Sequence, residues 1–191
     1  MPGEPKEDFF IEMPPTLEER KQFAVTPEHW AAARAYYREH QNELIAAASR
    51  TRDLGVSHRN PPFKVGCAVL SIEPRLAEGE YGVYNAHNFT PLPTKPRGKD
   101  KRCAERNAID AAENWSTAVV AIVTVSKELN TGDPTKAHDA LHPCDDCRTM
   151  LREKLEEGFI KEDTIICSAN DGDGEMKTEE RTVKELLELY K

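Results

Sequence analysis

No stretch of this chain approaches the ~18 consecutive apolar residues that a membrane-spanning helix needs. Its first residues, Met1-Pro2-Gly3-Glu4-Pro5-Lys6-Glu7-Asp8, lack the basic start and apolar centre of a secretory leader. The expectation is a cytoplasmic protein with no membrane partner. Basic charge is in short supply: 26 Lys and Arg stand against 34 Asp and Glu, a formal net charge of −8. A surface of that sign repels phosphate backbones, so bulk binding to nucleic acid is not expected. There is no internal repeat and no extended low-complexity tract. The five cysteines, at 67, 103, 144, 147 and 167, are an odd number. In a cytosolic chain that number fits metal ligation better than a disulfide framework.

What is present suffices for one domain of ordinary size. The chain has 191 residues, 38% hydrophobic and 31% charged, enough to bury a substantial core. Residues 1–26 are rich in Pro and acid, and read equally as an ordered arm or a tail. Thr26-Pro27-Glu28 is a helix start: a Thr cap, Pro at the first helical position, then an acid. A helical stretch follows over 27–54, as one helix or two, with Trp30, Ala33, Tyr37, Leu44, Ile45 and Ala48 on its apolar side. Strand signals lie at 63–71, 81–85, 117–126 and within 160–168. Helical patterns lie at 103–115, 144–157 and 181–190. The run 117–126 is rich in β-branched residues and reads as a buried strand. Strands alternating with helices predict an α/β sandwich around a mixed sheet. Cys67 and Cys167 fall in apolar strand runs and read as small buried hydrophobes.

Two short strings carry the chemistry: Cys103-Ala104-Glu105-Arg106 and Pro143-Cys144-Asp145-Asp146-Cys147. Their composition and order match a described zinc-deaminase pattern, a His or Cys ligand, x, Glu, then Pro-Cys-x-x-Cys. With them go Phe63-Lys64-Val65-Gly66-Cys67-Ala68-Val69-Leu70, Gly82-Val83-Tyr84-Asn85-Ala86-His87-Asn88 and Thr182-Val183-Lys184-Glu185-Leu186-Leu187. On these residues the chain resembles the cytidine deaminase family, in its three-cysteine branch, over roughly 40–191. The paired zinc strings are the specific part of the match. The resemblance implies a three-layer α/β/α sandwich with a mixed, about five-stranded sheet. It also implies a catalytic domain over 39–191 preceded by an N-terminal extension over 1–38.

The implied activity is zinc-dependent hydrolytic deamination of a cytosine nucleoside to the uracil form, with loss of ammonia. Cys103, Cys144 and Cys147 would hold Zn2+. Three protein ligands leave the fourth tetrahedral position open for water, which separates a catalytic zinc from a closed structural one. Glu105, two residues beyond a ligand, would shuttle the protons of the reaction. Cys103 and Cys144 each read as opening a helix, where the positive end of the dipole favours a thiolate. By resemblance Arg106, more than Arg148, would donate to the sulfurs. Phe63 would pack against the pyrimidine and Asn85 would bond the ribose. The backbone of Ala104 would meet the base carbonyl, and the backbone carbonyl of His142 would hold the leaving amine. A homotetramer is usual in this branch and is expected here.

The match departs from the family at three places. His87 stands where the family has a carboxylate that grips the sugar. The run Asn85-Ala86-His87-Asn88-Phe89-Thr90 instead resembles in part the matching segment of blasticidin-S deaminase, which acts on a cytosine joined to a modified sugar. The connection between Asn85 and Cys103 is long, with Lys95, Arg97, Lys99, Lys101 and Arg102 against Asp100. That loop over 91–102 reads as a solvated charged loop or as a grip for an anion on the substrate. Finally, Tyr190 stands one position out of register with a family aromatic that reaches a neighbouring subunit's pocket. Two rival readings of the cysteines stay open. One is a structural zinc closed by His138 or His142. The other is a catalytically idle, zinc-stabilised binding module.

Overall fold

The computed structural model describes residues 13–57, 63–76, 79–90, 102–127, 141–172 and 175–191. The first element, α1 (Leu17–Gln22), starts on a capping box in which Thr16 and Glu19 satisfy each other's backbone amides. The second, α2 (Pro27–Leu54), starts where the sequence predicts, with the Thr26 hydroxyl accepting from His29 N at 3.2 Å. It is two helices joined at His40, whose backbone leaves the helical region (φ −106°, ψ 15°). Trp30, Ala33 and Tyr37 before it, and Leu44, Ile45 and Ala48 after it, enter one core.

Among the described residues seven strands follow: β1 (Val56–Ser57), β2 (Val65–Ile72), β3 (Gly82–His87), β4 (Phe89–Thr90), β5 (Ala118–Ser126), β6 (Ile165–Asn170) and β7 (Lys177–Thr182). Five of them form one mixed sheet in the order β3-β2-β5-β6-β7. Within it only β5 and β6 run parallel; the other pairs of this sheet are antiparallel. A parallel pair needs a crossover, and here it contains α4 (Asp145–Glu156). The remaining helices are α3 (Ala104–Glu113) and α5 (Val183–Leu189). The short strands β1 and β4 pair with each other, Val56 opposite Phe89.

Central strands covered on both faces must be apolar throughout, and β2 and β5 are buried at every position. One apolar cluster joins α2 to Ala68, Leu70, Val120, Val123 and Cys167. A second, on the other face, joins Cys67, Val69 and Ile122 to α3, α4 and α5. The architecture is thus the expected three-layer sandwich. Gly66 sets how closely the α2 layer sits: a Cβ there would lie 1.9 Å from Ala48 O and 2.5 Å from Arg52 N. Cys67 and Cys167 are both buried and unbridged.

The C-terminal region differs from the sequence expectation. The strand β7 was not predicted. Its residues, Lys177-Thr178-Glu179-Glu180-Arg181-Thr182, include no apolar side chain, and it is an edge strand held by its ladder to β6. Its presence shortens the expected helix over 181–190 to α5, capped by Thr182 and Glu185. No described helix is long and apolar enough to cross a membrane.

Candidate metal centre and active site

Two helix starts meet at the site. Cys103 is the N-cap of α3 and Cys144 the N-cap of α4; neither side chain caps its own helix, so both sulfurs are left for other work. Cys147 lies in the first turn of α4. The Sγ atoms of Cys103 and Cys144 are 3.5 Å apart, and those of Cys144 and Cys147 are 3.6 Å apart. All three lie within 4.8 Å of one another, and no other His, Cys, Asp or Glu among the described residues joins the group. No disulfide links them.

The electrostatics of this trio ask for a cation. Sharing of hydrogens with Cys144 and proximity to the Glu105 charge push the Cys103 thiol up to about 12. Hydrogen bonds to Cys103 and Cys144, with burial, push Cys147 far up as well. Three sulfurs packed this closely resist ionisation together, because each thiolate repels the next. A divalent cation between them, together with the positive ends of two helices, reverses that balance. Thiolate-rich donor sets suit zinc. The donor chemistry therefore fits the expected metal.

Glu105 is buried, at 6% exposure, in the first turn of α3. Its charge raises Cys103, Cys147 and the buried Cys67, so it lies near the sulfurs without belonging to the ligand group. Ala104 is the first residue of α3, and its N–H is one of the first-turn amides with no intrahelical acceptor. Phe63, half-buried at the entrance to β2, packs against the apolar cluster beneath α3. Arg106 is half-buried in the first turn of α3. Arg148 turns away from the three sulfurs: it donates to Pro143 O at 2.5 Å and to Asp145, and its guanidinium lies 3.9 Å above the Tyr190 ring.

The sugar-side residues lie differently. Along β3 the side chains of Tyr84 and Ala86 pack toward α3. Alternation sends Asn85 and His87 to the α2 face, where Asn85 is exposed and His87 lies beside Gly55. The two strings thus bring Cys103, Cys144, Cys147 and Glu105 together, while Asn85 and His87 stand on the opposite face of the edge strand. His138 and residues 91–101 of the basic loop lie outside the described residues.

His142 is 4% exposed. Its Nδ1 is 2.9 Å from Tyr190 Oη and its Nε2 is 2.9 Å from Glu179 Oε2. Both ring nitrogens are engaged away from the sulfurs, which removes His142 as a side-chain ligand. Tyr190 likewise sits against His142 and Arg148 of its own chain. Two asparagines that the sequence reading passed over also build the site. Asn88, buried, accepts from Val65 N at 2.8 Å and donates to Phe63 O at 3.0 Å, tying the entrance of β2 to the end of β3. Asn107 donates to His87 O at 2.9 Å, pinning α3 to β3. Short polar side chains at strand ends would have flagged Asn88; nothing local marks Asn107.

No protein-family model matches the chain, and no curated protein matches it. Among solved structures, the cytidine deaminase from Burkholderia pseudomallei is similar to it, with a TM-score of 0.50 and 21% identity. The alignment covers 76% of this chain and 94% of that one. The likeness establishes the fold: a mixed five-stranded α/β sandwich shared with a cytidine deaminase.

Proposed function

We propose that the chain is a zinc-dependent hydrolase that converts a cytosine nucleoside, or a close analogue, to its uracil form and releases ammonia. One observation carries the reading: three cysteine sulfurs within 4.8 Å of one another, at two helix starts, beside a buried glutamate that is not among them. A closed structural zinc needs a fourth protein ligand, and no further His, Cys, Asp or Glu among the described residues supplies one.

Zinc held by Cys103, Cys144 and Cys147 would supply acidification of water, bringing its pKa from ~15.7 toward ~7. The protein's own groups do the rest. Glu105 accepts the proton of the attacking water, delivers one to ring N3, and gives one to the departing ammonia. Its burial beside the sulfurs keeps bulk water from competing for that proton. The Ala104 N–H, at the positive end of α3, receives the base carbonyl. The His142 carbonyl accepts from the amine, and Phe63 supplies an apolar wall for the ring. Arg106 lends positive charge to the sulfurs. The catalytic unit spans 39–191, with 1–38 as its extension, and the working form is a homotetramer.

A second reading keeps the chemistry and changes the sugar. His87 stands in place of the carboxylate expected at the ribose, and it lies on the α2 face of β3. The missing carboxylate favours a modified cytosine nucleoside of the blasticidin-S type. Loss of the cytosine absorbance band, followed with cytidine, deoxycytidine, the monophosphate and blasticidin S, ranks the two. Turnover of at least one, abolished by Glu105→Ala with zinc retained, is the expected result. Silence on all four by the zinc-loaded protein would refute the enzyme reading.

A further inference from the structure

We infer that Tyr190 is a positioning residue for the metal loop: through His142 it holds the His142-Pro143-Cys144 segment in the shape that sets Cys144 beside the other two sulfurs. This rests on the reading of Cys103, Cys144 and Cys147 as a metal centre. Three contacts fix the segment. Tyr190 Oη lies 2.9 Å from His142 Nδ1, Glu179 Oε2 lies 2.9 Å from His142 Nε2, and Arg148 donates to Pro143 O at 2.5 Å. The same Arg148 guanidinium lies 3.9 Å above the Tyr190 ring, so one aromatic side chain meets both braces. Pro143 has a fixed φ and passes the imposed geometry directly to Cys144.

The direction of the Glu179 hydrogen bond follows from charge. Burial pushes Glu179 up, but hydrogen bonds from His142 and Arg181 hold its carboxyl below the usual range. An ionised carboxylate only accepts, so His142 Nε2 carries a proton and donates to it. At the other ring nitrogen the Tyr190 hydroxyl lies within hydrogen-bond distance of Nδ1. Removing that hydroxyl takes away a contact that fixes how the buried ring is turned. Contacts from β7, from the C-cap of α5 and from α4 therefore converge on His142 and Pro143, the two residues before a metal ligand. Their role parallels the hydrogen bonds that orient metal ligands from behind, whose removal costs ~10–100-fold in metal affinity.

The test uses the full chain and Co2+ as probe, with its thiolate charge-transfer band read during competition against a chelator. Tyr190→Phe keeps the ring over Arg148 and removes only the hydroxyl; it should weaken Co2+ binding by ~10-fold or more. Glu179→Gln should weaken it similarly. Leu44→Ala, in the core on the opposite face of the sheet, should lower the melting temperature and leave Co2+ affinity within twofold. Wild-type affinity in Tyr190→Phe would overturn the inference, as would an equal loss in Leu44→Ala. A wild-type protein with no thiolate band would overturn the metal reading itself, an outcome distinct from either.

Discussion

Replacing Gly66 by Ala should destabilise the protein strongly. The structure supplies the reason. The added Cβ would lie 1.9 Å from Ala48 O, 2.5 Å from Arg52 N and 2.8 Å from Arg52 Cβ. Ordinary contact begins at 3.4 Å, so α2 would have to retreat by about 1.5 Å (3.4 minus 1.9) from β2. Two of the three obstacles are helix backbone, which cannot rotate aside. The retreat would open gaps around Leu44, Ile45 and Ala48, all core residues. Overpacking costs ~1–3 kcal/mol where side chains can yield, and the upper end, about 3 kcal/mol, applies to a backbone clash. For a chain of this size each kcal/mol moves Tm by ~2–4 °C, so a fall of about 6–12 °C is expected in a thermal melt. A fall of less than about 2 °C would show that α2 does not rest on β2 as described.

Glu105→Gln should keep the metal and lose turnover by ~10²–10⁴-fold, read by metal content beside the absorbance assay; loss of metal instead would make Glu105 a ligand. Asn88→Ala should cost about 2–4 kcal/mol in denaturant unfolding, because it strips partners from the buried Val65 N–H and from Phe63 O. Unchanged stability there would mean that the entrance of β2 is held by other groups. Glu19 is held down to about 2 by hydrogen bonds from the Thr16 backbone and from Arg75. A depressed carboxyl stabilises above its unfolded value of 4.5, and its contribution fades as pH falls through about 2. A carboxyl NMR titration of Glu19 near 4.5 would contradict the pairing with Arg75.

The sequence carried the site core because its signals are local. Cysteine at a helix start, an acid two residues on, and a Cys-x-x-Cys turn all act within one or two helical turns, and α3 and α4 begin where those strings predict. The buried strands were legible for the same reason: β5 is apolar at nearly every position, since both its faces are covered. The edge strand β7 was not, because a strand with no apolar side chain is made by its partner and not by its own residues. Tyr190 shows the same limit. Its hydroxyl meets His142, forty-eight positions earlier in the chain, a contact that no local pattern marks. Asn107 to His87 is likewise a long-range bond between residues that are unremarkable alone. Alternation along β3, which puts Asn85 and His87 on the α2 face, depended on which face of the strand α3 covers.

X-ray absorption at the zinc edge, on the protein loaded with one equivalent of zinc, meets the central claim most directly. The account predicts three sulfur neighbours at ~2.3 Å and one light atom in the fourth position, with that light atom exchanging when a cytosine-ring inhibitor is added. A shell filled by four protein donors and unaffected by the inhibitor would contradict it.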